Sequence, residues 1–170
     1  MIRVYTDGSS LGNPWPWGWW ILVLDGEVRK TFSGGEQHTT NNRMELFAVI
    51  NALKIVYEMT MWKPLSLPTE QEQLWGLFGS DKRELCDADI EIITDSSYVQ
   101  QGSTEWIYTR KQNNWRTSSR KPVQNQDLRQ ELDFLMDHFT ALTRSRTKAH
   151  VWQPENECVD KLAKNAAKKQ

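Results

Sequence analysis

Two stretches, Val4-Tyr5-Thr6-Asp7-Gly8-Ser9 and Ile92-Ile93-Thr94-Asp95-Ser96-Ser97, end alike: a β-rich run reaches Thr-Asp and passes into small polar residues. The pattern predicts a strand from Ile2 to Thr6 that stops at the turn cluster Asp7-Gly8-Ser9-Ser10, and another from Ile90 to Thr94. Ligands of open α/β sheets gather beyond the carboxyl ends of strands, so if these two are neighbours, Asp7 and Asp95 face one crevice. Taken singly, either aspartate is ordinary turn chemistry.

Working outward, Trp19 to Leu24 and Val28 to Phe32 are β-rich runs around Asp25-Gly26, a strong hairpin signal, so the chain is expected to open as a three-stranded antiparallel unit. From Asn42 to Tyr57, Leu46, Val49, Ile50, Leu53 and Val56 follow the spacing of an amphipathic helix that packs on a sheet. The next stretch carries Pro64, Pro68, Gly76 and Gly79 and holds no sustained period, which marks residues 59–89 as an insertion. Ser96 or Ser97 can cap a helix running toward Ile107. Asp127 to Phe139 is helical in pattern, Arg144 to His150 reads as a last strand, and Pro154 opens a final helix with Glu155 and Glu157 in its first turn. Strands alternating with helices after an initial meander predict a mixed α/β sheet, and no repeat of 20 to 50 residues is visible.

The 170 residues fall within the range of one domain, about 100 to 200 residues, and the expectation is a single domain over residues 1–170. With 38% hydrophobic and 25% charged residues the composition is that of a soluble globular chain. The longest apolar run, Trp19 to Leu24, is far short of the roughly 20 residues of a membrane helix, and no signal-peptide pattern opens the chain, so a cytoplasmic location is expected. Cys86 and Cys158 form neither a zinc spacing nor a disulfide framework. A net charge of -1 excludes a protein that coats nucleic acid by charge alone. The distribution is uneven, however: Arg110, Lys111, Arg116, Arg120 and Lys121 lie between Trp106 and Gln126 with no acid among them, whereas Glu58 to Glu91 holds eight acids against Lys63, Lys82 and Arg83.

Two more carboxylates stand out. Glu45 shares a helical face with Val49, Ala52 and Val56, and a carboxylate aimed at a core needs a partner; the alternative is a first-turn Glu that complements the helix dipole. Asp160 borders the stripe Val159, Leu162, Ala163 and Ala166, where a boundary charge is the ordinary reading.

In order along the chain, Thr6-Asp7-Gly8-Ser9, Gly12-Asn13-Pro14, Asn41-Asn42-Arg43-Met44-Glu45-Leu46, Thr94-Asp95-Ser96 and Pro154-Glu155-Asn156-Glu157-Cys158-Val159-Asp160 resemble the type 1 ribonuclease H family. The resemblance covers nearly the whole chain apart from the insertion. It implies a ribonuclease H-like α/β fold, a five-stranded mixed sheet with flanking helices, and an endonuclease that hydrolyses the RNA strand of RNA–DNA hybrids to leave 5′-phosphate and 3′-hydroxyl ends. It carries Asp7, Glu45, Asp95 and Asp160 over as metal ligands and His150 as an auxiliary histidine; without the resemblance, His150 reads as a surface histidine. Hard oxygen ligands suit two Mg²⁺ ions, with Mn²⁺ as a substitute. Thr40, Asn41 and Asn125 match a phosphate pocket for the DNA strand, and Asn13 and Ser97 join the substrate contacts. The segment Trp106 to Asn125, with Trp115, resembles a basic protrusion that grips hybrid backbone, the alternative being a solvated basic loop. A monomer with no membrane and no obligatory protein partner is expected.

Three features depart from the family's pattern: the first bears on loop geometry, the second on turnover more than on metal binding, and the third either binds a partner or decorates the sheet edge. Trp15 and Trp17 stand where family members usually carry glycines, Val151-Trp152-Gln153 replaces a glycine-containing loop after His150, and residues 59–89 are acidic. The competing readings are an idle nucleic-acid-binding module that keeps the fold and a nuclease or strand-transfer domain acting on DNA.

Overall fold

The computed structural model describes residues 1–10, 17–36, 39–65, 84–103 and 107–147. Strands β1 (Ile2–Ser10), β2 (Trp17–Asp25) and β3 (Val28–Glu36) form an antiparallel meander. Asp25 pairs with Val28, so the hairpin turn is Gly26-Glu27, one residue later than Asp25-Gly26. Gly26 has φ +57°, the positive value that glycine adopts without a Cβ penalty. Helix α1 (Asn41–Met61) follows and supplies the crossover by which β4 (Cys86–Thr94) pairs parallel with β1. Next come α2 (Ser97–Gln101), α3 (Ile107–Gln112) and α4 (Gln126–Met136), and β5 (Phe139–Arg146) pairs parallel with β4. The sheet order is β3-β2-β1-β4-β5, the five-stranded mixed sheet that the resemblance implies.

Several boundaries differ from the sequence reading, most of them because strand pairing overrides a local preference. β1 does not stop at Thr6: its turn-forming residues Asp7 to Ser10 go on pairing with Trp20 to Trp17 of β2. α1 runs on to Met61, where Trp62 adopts a left-handed conformation (φ 58°) and donates its N–H to Glu58 O at 2.9 Å. β4 begins at Cys86, so both ends of the 59–89 segment are regular structure, while residues 66–83 lie outside the described residues. At the far end α4 closes at Met136, and Phe139, predicted helical, instead pairs with Cys86 as the first residue of β5; β5 (139–146) therefore begins five residues before the predicted Arg144, and residues 148–150 of the predicted strand lie outside the described residues.

The core lies between one face of the sheet and α1 with α4. Val4, Ile21, Val23, Ile90 and Ile92 from the strands meet Leu46, Val49, Ile50, Leu53 and Val56 of α1 and Leu128, Leu132 and Leu135 of α4, all buried. Each such side chain contributes about 1.5–3 kcal/mol. The opposite face carries a second buried cluster, Tyr5, Leu22 and Ile93, flanked by Trp20 and Leu24.

One contact sets how closely α1 docks on β1. A Cβ added to Gly8 would lie 2.5 Å from the backbone of both Met44 and Glu45, so only glycine admits the helix at this distance. Gly8→Ala is therefore expected to destabilise the protein by about 1–3 kcal/mol, the typical cost of forced overpacking, because backbone atoms cannot rotate away. Urea unfolding of the two proteins measures it, and equal midpoints would show that the helix docks elsewhere.

Candidate metal centre

β1 and β4 run parallel and in register, and their pairing ends at Thr6 opposite Thr94. The following residues, Asp7 and Asp95, therefore leave that pairing together. The threonines are buried and fix these ends: Thr6 Oγ1 donates to Ile93 O at 3.5 Å, and Thr94 Oγ1 accepts from Ser96 N at 3.1 Å. Ser96 caps α2, accepting from Val99 N at 3.3 Å, which turns the chain away just past Asp95.

Glu45 completes the group from α1. One ligand atom from each of Asp7, Glu45 and Asp95 lies within 4.8 Å of the others, the arrangement expected for a shared cation. Asp7 and Glu45 are 7% exposed, and Asp95 is partly exposed, so the cluster opens to solvent on one side. Burial pushes the Glu45 carboxyl well above its ordinary value of 4.5, repulsion from Asp7 and then Asp95 adds to the rise, and the Gly8 N–H opposes it. Glu45 Oε2 is buried with no hydrogen-bond partner. Such an atom is costly unless a cation or proton meets it. A hard divalent ion fits three converging carboxylates, whereas thiolate or imidazole ligands for a softer metal are not among them.

The remaining sequence-predicted residues divide by position. Thr40 is the N-cap of α1, accepting from Arg43 N at 3.4 Å, and Asn41 is the first helical residue; both are exposed. Asn125 stands at the start of α4, and Arg43 joins the two places. Its guanidinium grips Asp127 with two bonds, 3.0 and 2.7 Å, and donates to Asn125 Oδ1 at 3.4 Å. That bond to Arg43 holds Asp127 below the usual carboxylate range. Ser97 is exposed at the first turn of α2.

The basic segment is not a plain loop. It begins as α3 and closes through a bridge between Arg116 and Pro122. Lys111, half-exposed, pairs with Asp133 at 2.7 Å and Asp137 at 3.7 Å. Arg110 donates to Arg116 O at 3.3 Å and Arg116 to Arg120 O at 3.1 Å, while Arg120 and Lys121 are exposed. Trp115 anchors the turn by its backbone, donating to Arg110 O at 2.7 Å and accepting from Val123 N at 3.0 Å. Asn13, Trp106, His150, Asp160, Trp15 and the loop 151–153 lie outside the described residues. The described chain reaches Thr147, whose N–H donates to Thr94 O at 3.0 Å, one residue before Asp95.

Sequence reasoning passed over Gly8, Arg43 and Tyr98. Gly8 read as an ordinary turn glycine, and its close approach to α1 shows only once β1 continues through it. Arg43 and Tyr98 carried no signal, because their partners Asp127 and Asn125 are remote in sequence.

With this geometry in hand, comparison with known proteins is direct. The family model described as RNase H matches residues 1–168. A ribonuclease H from Treponema denticola is 40% identical to this chain, covering 99% of it and 98% of the relative. Among solved structures, LC9-RNase H1, a type 1 RNase H with the type 2 active-site motif, is 28% identical with a TM-score of 0.72, covering 99% of this chain and 72% of that one. LC11-RNase H1 in complex with RNA/DNA hybrid shares the fold at 21% identity and a TM-score of 0.63, covering 99% and 98% of the two chains. The twin strand ends, the helix that brings Glu45 to them and the full-length matches agree, and the chain belongs to the RNase H family of nucleases.

Proposed function

We propose that the protein cuts the RNA strand of RNA–DNA hybrids, and the observation that carries this reading is the convergence of Asp7, Glu45 and Asp95 within 4.8 Å. The similarity to ribonuclease H from Treponema denticola and to a structure solved with RNA/DNA hybrid supports the substrate. Asp7 would be shared between two divalent ions, Glu45 and Asp95 would hold one of them, and Asp160 would serve the other. When bound, such ions lower the pKa of water, neutralise charge on the phosphate and stabilise the leaving oxygen.

The chain's own residues prepare that site. The Gly8 N–H and the burial of Glu45 hold its carboxylate in place, and the Thr6 and Thr94 hydroxyls fix the backbone on which Asp7 and Asp95 stand. Departure of the 3′ oxygen leaves a 3′-hydroxyl and a 5′-phosphate. His150 assists by proton transfer, and Thr40, Asn41 and Asn125 hold a phosphate of the DNA strand. Hydroxyls at the RNA 2′ position distinguish the strand to be cut. Arg120 and Lys121, exposed at the tip of the basic segment, draw the backbone in.

Labelled hybrid, double-stranded RNA and double-stranded DNA incubated with the protein in Mg²⁺ separate this reading from an idle binding module and from a DNA nuclease. Cleavage of the hybrid RNA strand alone is expected, and Asp95→Asn is expected to abolish it in a folded protein; near-normal cutting by that variant would end the metal assignment.

The raised pKa of Glu45 fixes a pH effect in the metal-free protein. Folding favours its protonated form, so the stability it contributes is present below the ordinary value of 4.5 and is lost as pH rises through the raised folded value. In EDTA at neutral pH, Glu45→Gln should melt above the wild type, with the gap closing as pH falls toward 4.5. Mg²⁺ should raise the wild-type melting temperature, since a ligand of the native state alone stabilises it. Melts showing the variant less stable in EDTA and the wild type indifferent to Mg²⁺ would contradict a metal cluster.

The basic segment yields a salt test. Replacing Arg120 and Lys121 together by Ala should lower the slope of log affinity against log salt by about 0.9 for each phosphate that the two side chains neutralise. Lys111→Ala, whose charge is held by Asp133 and Asp137, should leave the slope unchanged. The opposite ranking of the two variants would reverse these roles.

A further inference from the structure

Asparagine at a helix N-cap ordinarily turns its side chain onto the first free backbone N–H groups. Asn125 holds that position before α4, yet makes no side-chain capping bond. Its amide is held elsewhere, with Nδ2 donating to the Tyr98 hydroxyl at 2.8 Å and Oδ1 accepting from Arg43 at 3.4 Å. Arg43, a donor only, fixes which end of the amide is oxygen, and the Tyr98 hydroxyl holds the nitrogen end in place. One N–H goes to Tyr98, and the same nitrogen keeps a second for another acceptor.

Tyr98 is itself held. The Arg129 guanidinium lies over its ring, 4.6 Å from the centroid, and donates from Nε to Gln124 O at 3.2 Å. Arg129 is 5% exposed, an unusual burial for a cation, and its guanidinium packs against Gly102. A side chain at residue 102 would crowd Arg129 Nη1 and push the end of the guanidinium aside. Gly102, Arg129 and Tyr98 thus form one stack between α2 and α4 that ends on the Asn125 amide.

We propose that Tyr98 and Arg129 are positioning residues that aim the Asn125 amide nitrogen at a backbone phosphate of the substrate. This rests on the reading of Asn125 as a phosphate contact. A phosphate oxygen accepts hydrogen bonds and donates none, so an amide turned end for end would present its carbonyl and repel it. Arg43, which can only donate, forbids that turn, and the stack holds the nitrogen end where it points, with Arg129 acting through Tyr98 and Tyr98 through Asn125.

The test is steady-state cleavage of labelled RNA–DNA hybrid in Mg²⁺. Tyr98→Phe removes only the hydroxyl and keeps the ring under Arg129. It should raise KM about three- to tenfold, with kcat unchanged and only the small drop in melting temperature that losing one intramolecular hydrogen bond brings. The dependence of KM on salt should also keep its slope, because a neutral contact displaces no counterion. Asn125→Ala should raise KM at least as far, and adding Tyr98→Phe to it should change nothing more. Arg129→Met and Gly102→Ala reach the same amide from the other end of the stack: each should raise KM in the wild-type background and add little to Tyr98→Phe. A KM raised by Asn125→Ala but untouched by Tyr98→Phe would overturn the positioning role and leave the phosphate contact standing. A KM indifferent to Asn125→Ala would remove the phosphate contact itself and the inference with it. A Tyr98→Phe variant that loses kcat and melting temperature together would make the tyrosine a structural residue only.

Discussion

The approach of α1 to β1 at Gly8 is the contact on which the site depends. With no Cβ between them, the strand and the backbone at Met44 and Glu45 come close enough for the Glu45 carboxylate to reach Asp7 on β1 and Asp95 just past β4. The same approach brings the Gly8 N–H to Glu45, the one interaction that lowers its pKa against burial and two like charges. A wider gap would relieve the repulsion and lose the cluster. The strand is thereby committed to glycine at the position directly after its aspartate.

Gathering these carboxylates opposes folding in the absence of a cation, so the apolar layer beneath them must outweigh the cost. Val49, Ile50, Leu53 and Val56 follow Glu45 along α1 and meet Val4, Ile21 and Ile92, with α4 closing the layer through Leu128, Leu132 and Leu135. Each such side chain contributes about 1.5–3 kcal/mol, and this layer as a whole offsets the burial of the carboxylates. One buried face of α1 thus anchors the sheet along most of its length and delivers Glu45 at its first turns. The cluster occurs where the helix is already held on both sides.

The sheet and the ligand set were legible in the sequence for the same reason. Asp7 and Asp95 follow twin strands whose parallel register makes equivalent positions adjacent, and Glu45 interrupts an apolar stripe whose period is visible without a structure. Boundaries were less legible because they depend on the neighbour. Asp7 to Ser10 are turn formers by composition, but β2 continues beside them, and Phe139 suits a helix face until Cys86 offers it a ladder. The basic segment reads as charge alone. What the sequence hides is that Lys111 is neutralised by Asp133, and that Asn114, Trp115, Arg120 and Asn125 all take positive φ, which fixes the shape of the segment.

Thr40, Asn41, Arg43 and Glu45 fall within six consecutive residues, and helical geometry explains why they can serve different purposes. Residues two apart on a helix point about 200° from each other on a 3.6-residue turn, so Glu45 faces the sheet while Arg43 reaches out to Asp127 and Asn125. The first turn of α1 therefore ties the carboxylate cluster to the start of α4, and the ion pair between Lys54 and Glu131, at 2.6 Å, ties the two helices again farther along. A surface ion pair alone stabilises little. Two of them bracketing a packed helix pair restrain rotation, and rotation is the motion that would change the distance between the metal ligands and Asn125. On the proposed reading that distance separates the phosphate to be cut from the phosphate held on the opposite strand, so the helix pair selects for the width of the duplex between them. An enzyme that must recognise a hybrid by shape needs such a fixed span more than it needs contacts to particular bases.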